Sequence, residues 1–101
     1  MSAPQWKNVY ELSEDQFQRL EQAEEKMESM EINTAESILK SLLEEDENCI
    51  PVLNIYGHMY GRYLSDFESA IVYYDRVLQL EPDNAWARDE RRRYRRYVSY
   101  D

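Results

Sequence analysis

Residues 53–78 read LNIYGHMYGRYLSDFESAIVYYDRVL. Leu53, Tyr56, Gly57, Tyr60 and Tyr63 recur in steps of three and four, which marks one face of a helix over about 50–63. Pro51 suits the first turn of that helix, where no amide donor is needed. Ser65 followed by Glu68 reads as a capping box that opens a second helix. Its apolar face is Phe67, Ala70, Ile71, Tyr74, Val77 and Leu78, and Pro82 stops it. Gly57 and Ala70 are small, so two antiparallel helices can approach closely there, with Tyr60, Phe67 and Tyr74 filling the space around the contact.

Upstream, Ser13 and Gln16 form another capping box, and Leu12 with Phe17 forms a hydrophobic staple across the same turn. The stripe Phe17, Leu20, Ala23, Met27, Met30 then belongs to one helix face, with the two methionines read as core filling. Glu21, Glu24, Glu25 and Glu28 give the opposite face an acidic character. A turn is expected near Ile32-Asn33-Thr34, followed by a helix carrying Ala35, Ile38, Leu39, Leu42 and Leu43. Residues 1–11 show no clear period and read as an arm, packed through Trp6, Val9 and Tyr10. Downstream of Pro82, Asp83 or Asn84 caps a last helix running to about Val98.

A shift of 35 residues places Ile32, Ala35, Leu39, Leu42 and Leu43 on Phe67, Ala70, Tyr74, Val77 and Leu78. Leu20, Ala23, Met27 and Met30 fall on Leu53, Tyr56, Tyr60 and Tyr63 with a slightly different shift, as a change of loop length would give. The unit is therefore a helix pair of about 34 residues, the period of a helix-turn-helix solenoid.

The second unit resembles the tetratricopeptide repeat family. Leu53, Tyr56, Gly57 and Tyr60 are similar to that family's first-helix pattern. Asp66-Phe67-Glu68-Ser69-Ala70-Ile71 with Tyr73-Tyr74 resembles its second helix, and Leu78-Gln79-Leu80-Glu81-Pro82-Asp83-Asn84 resembles its exit turn. The first unit keeps the small Ala35, but Glu47 stands where the proline would be. The resemblance implies an all-α fold: a short right-handed α-solenoid of two antiparallel helix pairs plus a C-terminal solvating helix. The expected layout is an arm over 1–12 and a domain over 13–101, with repeats at 16–49 and 50–84 and a capping helix over 84–98.

Composition narrows the function. The chain has 101 residues, enough for one small domain, with 21 acidic and 12 basic side chains and a net charge of −9. Residues 10–48 hold 13 acidic and 3 basic side chains, whereas all six basic residues of 83–101 are arginines, at 88, 91, 92, 93, 95 and 96. The overall charge repels phosphate, so nucleic acid is disfavoured as a partner. One Cys and one His exclude a disulfide framework and the usual multi-ligand zinc site. Cys49 reads as an inert thiol in an inter-repeat turn. No apolar run is long enough to span a membrane, and Met1-Ser2-Ala3-Pro4 lacks the marks of a signal peptide, so the expected location is the cytoplasm, with the nucleus as the alternative. No phosphate loop, nucleophile constellation or metal cluster appears, so no enzyme activity, cofactor or metal is expected.

The resemblance implies instead a non-catalytic adaptor that holds a partner peptide or helix in a groove. Its partner-binding positions would be Asn54, His58 and Arg62, at i, i+4 and i+8 opposite the tyrosine stripe, with Arg88, Arg92, Arg95 and Arg96 from the last helix. Each set has a plainer reading. The first can be an ordinary polar solvent face, and the second a solvated face that neutralises the acidic unit. The Lys/Asn clamp with which some family members grip a C-terminal carboxylate is not present, because Glu21, Glu24 and Glu28 stand where cations would be needed. Two further functions stay open. One is a self-associating scaffold, in which the acidic unit meets the Arg helix of another copy. The other is an anion contact, to nucleic acid or acidic lipid, through the Arg-rich helix.

Overall fold

The computed structural model describes residues 10–98. Most of the arm expected over 1–12, including Trp6 and Val9, lies outside the described residues. The described chain is all-α: α1 Glu14–Glu28, α2 Ile32–Glu45, α3 Ile50–His58 running on into a π-helical turn Met59–Tyr63, α4 Phe67–Leu80 and α5 Ala85–Arg95. The described residues contain no strand. The chain divides into two compact units, Met1–Val52 and Leu53–Asp101, with the division falling inside α3.

In the first unit α1 packs on α2. Ser13 caps α1 as its sequence pattern indicates: its Oγ accepts from the Gln16 amide at 3.0 Å, while its own amide donates to Gln16 Oε1 at 2.9 Å. Phe17, Leu20, Ala23 and Met27 are buried on α1, and Ala35, Leu39 and Leu42 on α2. Arg19 ties the two helices together from the surface. It donates to Asp15 at 3.0 Å on its own helix, and to Ser41 at 3.2 Å and Glu45 at 2.5 Å on α2.

The turn between these helices is not at Ile32-Asn33-Thr34 but at Ser29–Glu31. The Glu31 amide donates to Lys26 O at 2.8 Å and the Met30 amide to Met27 O at 3.0 Å, a Schellman closure. That closure needs a left-handed residue, and Met30 takes φ 63°. Met30 therefore leaves the apolar stripe and is 64% exposed, whereas Met27 is core.

In the second unit, α3 with its π turn meets α4, and α4 meets α5. An ideal Cβ on Gly57 would sit 2.7 Å from the Tyr74 ring, so only glycine admits this crossing. One turn later, Gly61 receives the Tyr94 ring of α5 even more closely. The two tyrosine rings lie nearly parallel, with centroids 6.3 Å apart. Phe67 stacks on Tyr94 at 5.5 Å, and Tyr56, Tyr60 and Tyr73 form a second stack with centroids 4.6–6.0 Å apart.

Ser65 is not the cap of α4. It takes φ 53° to close the π turn, where the Asp66 amide donates to Tyr60 O at 2.8 Å. With Ser65 left-handed, the cap falls to Asp66 (φ −96°, ψ 81°), whose Oδ1 accepts from the Ser69 amide at 3.2 Å. Of the two candidates for the last cap, Asn84 serves, its Oδ1 accepting from the Ala87 amide at 2.9 Å.

The 35-residue repeat is present in the backbone as well as in the sequence. α2 and α4 are both 14 residues long and start 35 apart, and the buried Ala35, Leu39 and Leu42 superpose on the buried Ala70, Tyr74 and Val77, while the buried Ile71 of α4 falls on the half-buried Glu36. The left-handed residues Met30 and Ser65 obey it too, as do the exit turns closed by Cys49 N to Asp46 O and by Asn84 N to Glu81 O. Glu47 thus replaces Pro82 in the first exit turn without changing its hydrogen bond.

Candidate partner-binding surface

α3 is buried around most of its circumference: Val52, Leu53, Ile55, Tyr56 and Met59 are all core. This decides the position of Asn54, which sequence spacing puts on an open polar face. Asn54 is 8% exposed, and its Oδ1 has no hydrogen-bond partner among the described residues. It is not available as a surface contact. His58 is half-buried and Arg62 is exposed.

His58 is wedged among aromatic rings. Tyr63 meets it edge-on at 5.8 Å, and Trp86 of α5 does so at 6.1 Å. Burial lowers the affinity of His58 for a proton, Glu90 opposes that shift and Arg62 adds to it. Its imidazole is therefore predominantly neutral near pH 7. Glu90, on the same flank of α5 as Trp86, has its carboxylate 3.5 Å from Arg93 Nε. Trp86 itself is 48% exposed.

The Tyr74 and Tyr94 phenols are pushed up chiefly by burial. Nearby Trp86 works against that shift for Tyr74, and Glu90 reinforces it for Tyr94. Both hydroxyls stay protonated at physiological pH. The buried Cys49 thiol is likewise pushed up by burial, which removes thiolate reactivity. Among the described residues no three His, Cys, Asp or Glu side chains converge as metal ligands. No helix among them is long and apolar enough to cross a membrane.

The arginines divide by helical angle. On α5 the buried positions are Ala87 and Tyr94. At about 100° per residue, Trp86, Glu90 and Arg93 fall on the flank that meets His58, Arg88, Arg92 and Arg95 fall on the other, and Arg96 lies on the solvent side between them. Arg91 lies between these sets and is bound to Asp75 of α4. The structure thus joins His58 and Arg62 to Trp86, Glu90 and Arg93. It separates them from Arg88, Arg92 and Arg95, three of the four arginines that the sequence groups with them. The missed contributors, Trp86, Glu90 and Arg93, carry a signal at i, i+4 and i+7, beside the Ala87/Tyr94 stripe.

Comparison with protein-family models, with curated proteins and with solved structures returns no match.

Proposed function

We infer that the chain is a non-catalytic interaction module of tetratricopeptide-like type, each helix hairpin being one repeat of a short α-solenoid. The 35-residue recurrence of helix, turn and exit geometry supports the repeat reading. The partner is a protein, held as a peptide or helix, and its contact surface is the Trp86 flank with His58, Arg62 and Arg93.

One observation carries this assignment. A half-exposed tryptophan is seated edge-on against a neutral histidine on which Arg62 acts electrostatically, with the Arg93–Glu90 pair on the same flank of α5. Trp and Arg dominate the energetics of protein interfaces, and a rigidly seated ring loses little entropy on binding. The surface offers two cations, a partly shielded carboxylate and an apolar plate, which suits a peptide that presents an acidic and an apolar side chain together. A cytoplasmic site of action, with the nucleus second, remains part of this reading.

Pull-down from the native source with the full chain and with Trp86→Ala and Arg62→Ala variants tests it. Loss of the same bound protein from both variants, with helix content unchanged, is the expected result. Retention by both overturns the assignment.

A further inference from the structure

The arginines that do not join the Trp86 surface form a face of their own. Arg88, Arg92 and Arg96 follow one another at i, i+4 and i+8 along α5 and its C-cap, and all three are exposed. Their partners within the described chain are few. Arg88 reaches only its neighbour Asp89, at 3.8 Å, and Arg92 and Arg96 meet no carboxylate among the described residues. Like charges four apart on a helix repel one another, and carboxylates docked between them would relieve that repulsion.

The first unit carries the complement. Glu21, Glu25 and Glu28 of α1 stand at i, i+4 and i+7 on its exposed face, and none of them meets a cation among the described residues. Beside them, Glu24 is held above the usual carboxylate range by burial first and then by Glu28 and Glu21, so this face is crowded with negative charge. At a rise of about 1.5 Å per residue, each row spans roughly 10–12 Å, so three carboxylates match three guanidinium groups in register. The separation is built into the chain as a whole. Met1–Val52 holds 13 acidic and 4 basic side chains, and Leu53–Asp101 holds 8 of each.

We propose that the Arg88/Arg92/Arg96 row docks on the Glu21/Glu25/Glu28 face of a second copy of this chain. The contact joins two different surfaces, so it is heterologous and repeats head to tail. The guanidinium fork suits carboxylates better than an ammonium would, and the first unit supplies them at matching spacing. The charge of −9 on every copy opposes approach. A Debye length of about 10 Å at about 0.1 M salt confines that repulsion while leaving facing rows in contact range. Association is therefore weak, sensitive to salt and independent of the Trp86 surface.

Sedimentation of the full chain from about 20 µM to about 1 mM tests the proposal. At about 0.1 M NaCl the mass rises with concentration, and at about 1 M it returns to the monomer. R88Q/R92Q/R96Q weakens association about tenfold, as three exposed pairs allow. The reversals R88E/R92E/R96E and E21R/E25R/E28R are each monomeric alone, and mixing them restores association, because each presents a row the other can take. That regain separates docking from misfolding. A wild-type monomer at all concentrations, a monomer that binds poly-glutamate instead, association that survives in either reversal alone, or no regain on mixing overturns the proposal.

Discussion

Gly61→Ala puts the packing of the second unit to a quantitative test. The added methyl overlaps the Tyr94 ring, which is 3% exposed and stacked on Phe67 and Tyr74, so it cannot swing aside. Overpacking of this kind costs about 1–3 kcal/mol. Alanine recovers about 0.5–1 kcal/mol of backbone entropy in a helical turn. The net is a loss of up to about 2.5 kcal/mol, and Tm falls by about 4–8 °C per kcal/mol in a chain of this size. Removing the ring should reverse the sign: in a Tyr94→Leu background Gly61→Ala stabilises, because only the entropy remains. Thermal and urea unfolding of the four proteins in this cycle gives the coupling directly. A Gly61→Ala variant more stable than wild type, or equal effects in both backgrounds, refutes the glycine-to-ring contact.

Three further outcomes follow from the same geometry. Met30→Gly relieves the left-handed residue at the end of α1 and stabilises by about 0.5–1 kcal/mol in urea unfolding. His58 binds its proton less tightly in the fold than at its ordinary value of 6.5, so the unfolded chain takes up protons first as pH falls. Wild type therefore loses stability from about pH 6.5 downward, and His58→Gln shows less of this loss in Tm measured from pH 7.5 to pH 5. Glu24 has the opposite sign: its carboxyl is raised by burial and by Glu28 and Glu21, so its ionisation opposes folding above the usual carboxylate range. Glu24→Gln should raise Tm at pH 7, and the difference should vanish below about pH 4.

Much of the fold was legible because its elements announce themselves locally. The Ser13 box, the stripes of α2 and α4 and the 35-residue recurrence all depend on residues close in sequence. What could not be read depended on choices between neighbours, or on distant packing. Ser65 and Asp66 both suit a cap, and the left-handed closure of the preceding turn takes Ser65 and leaves the cap to Asp66. Met30 fits the apolar spacing, but the Schellman closure uses it as a turn residue. Gly61 falls inside the expected helix over about 50–63, and nothing local shows why it must be glycine until Tyr94, 33 positions later, is seen against it.

The candidate site was legible only in part, for the same reason. Helical spacing puts His58 and Arg62 on one face, and in the structure Arg62 acts electrostatically on His58. It placed Asn54 on an open face because nothing local reveals that α3 is buried nearly all round. It also grouped the arginines of α5 with that face, although the buried pair Ala87 and Tyr94 orients the helix so that Trp86 points there instead. Orientation about a helix axis is set by packing, and the arginine-rich sequence conceals it.

The binding role is tested most directly by a photo-crosslinking phenylalanine analogue placed at position 86, and separately at position 72, where Val72 is 57% exposed on α4. The chain is then irradiated in the presence of proteins from its native source. A discrete crosslinked product from position 86, abolished by Arg62→Ala and missing from position 72, is the expected result. Equal capture at both positions, or capture at 86 that Arg62→Ala leaves intact, would contradict a Trp86-centred binding surface.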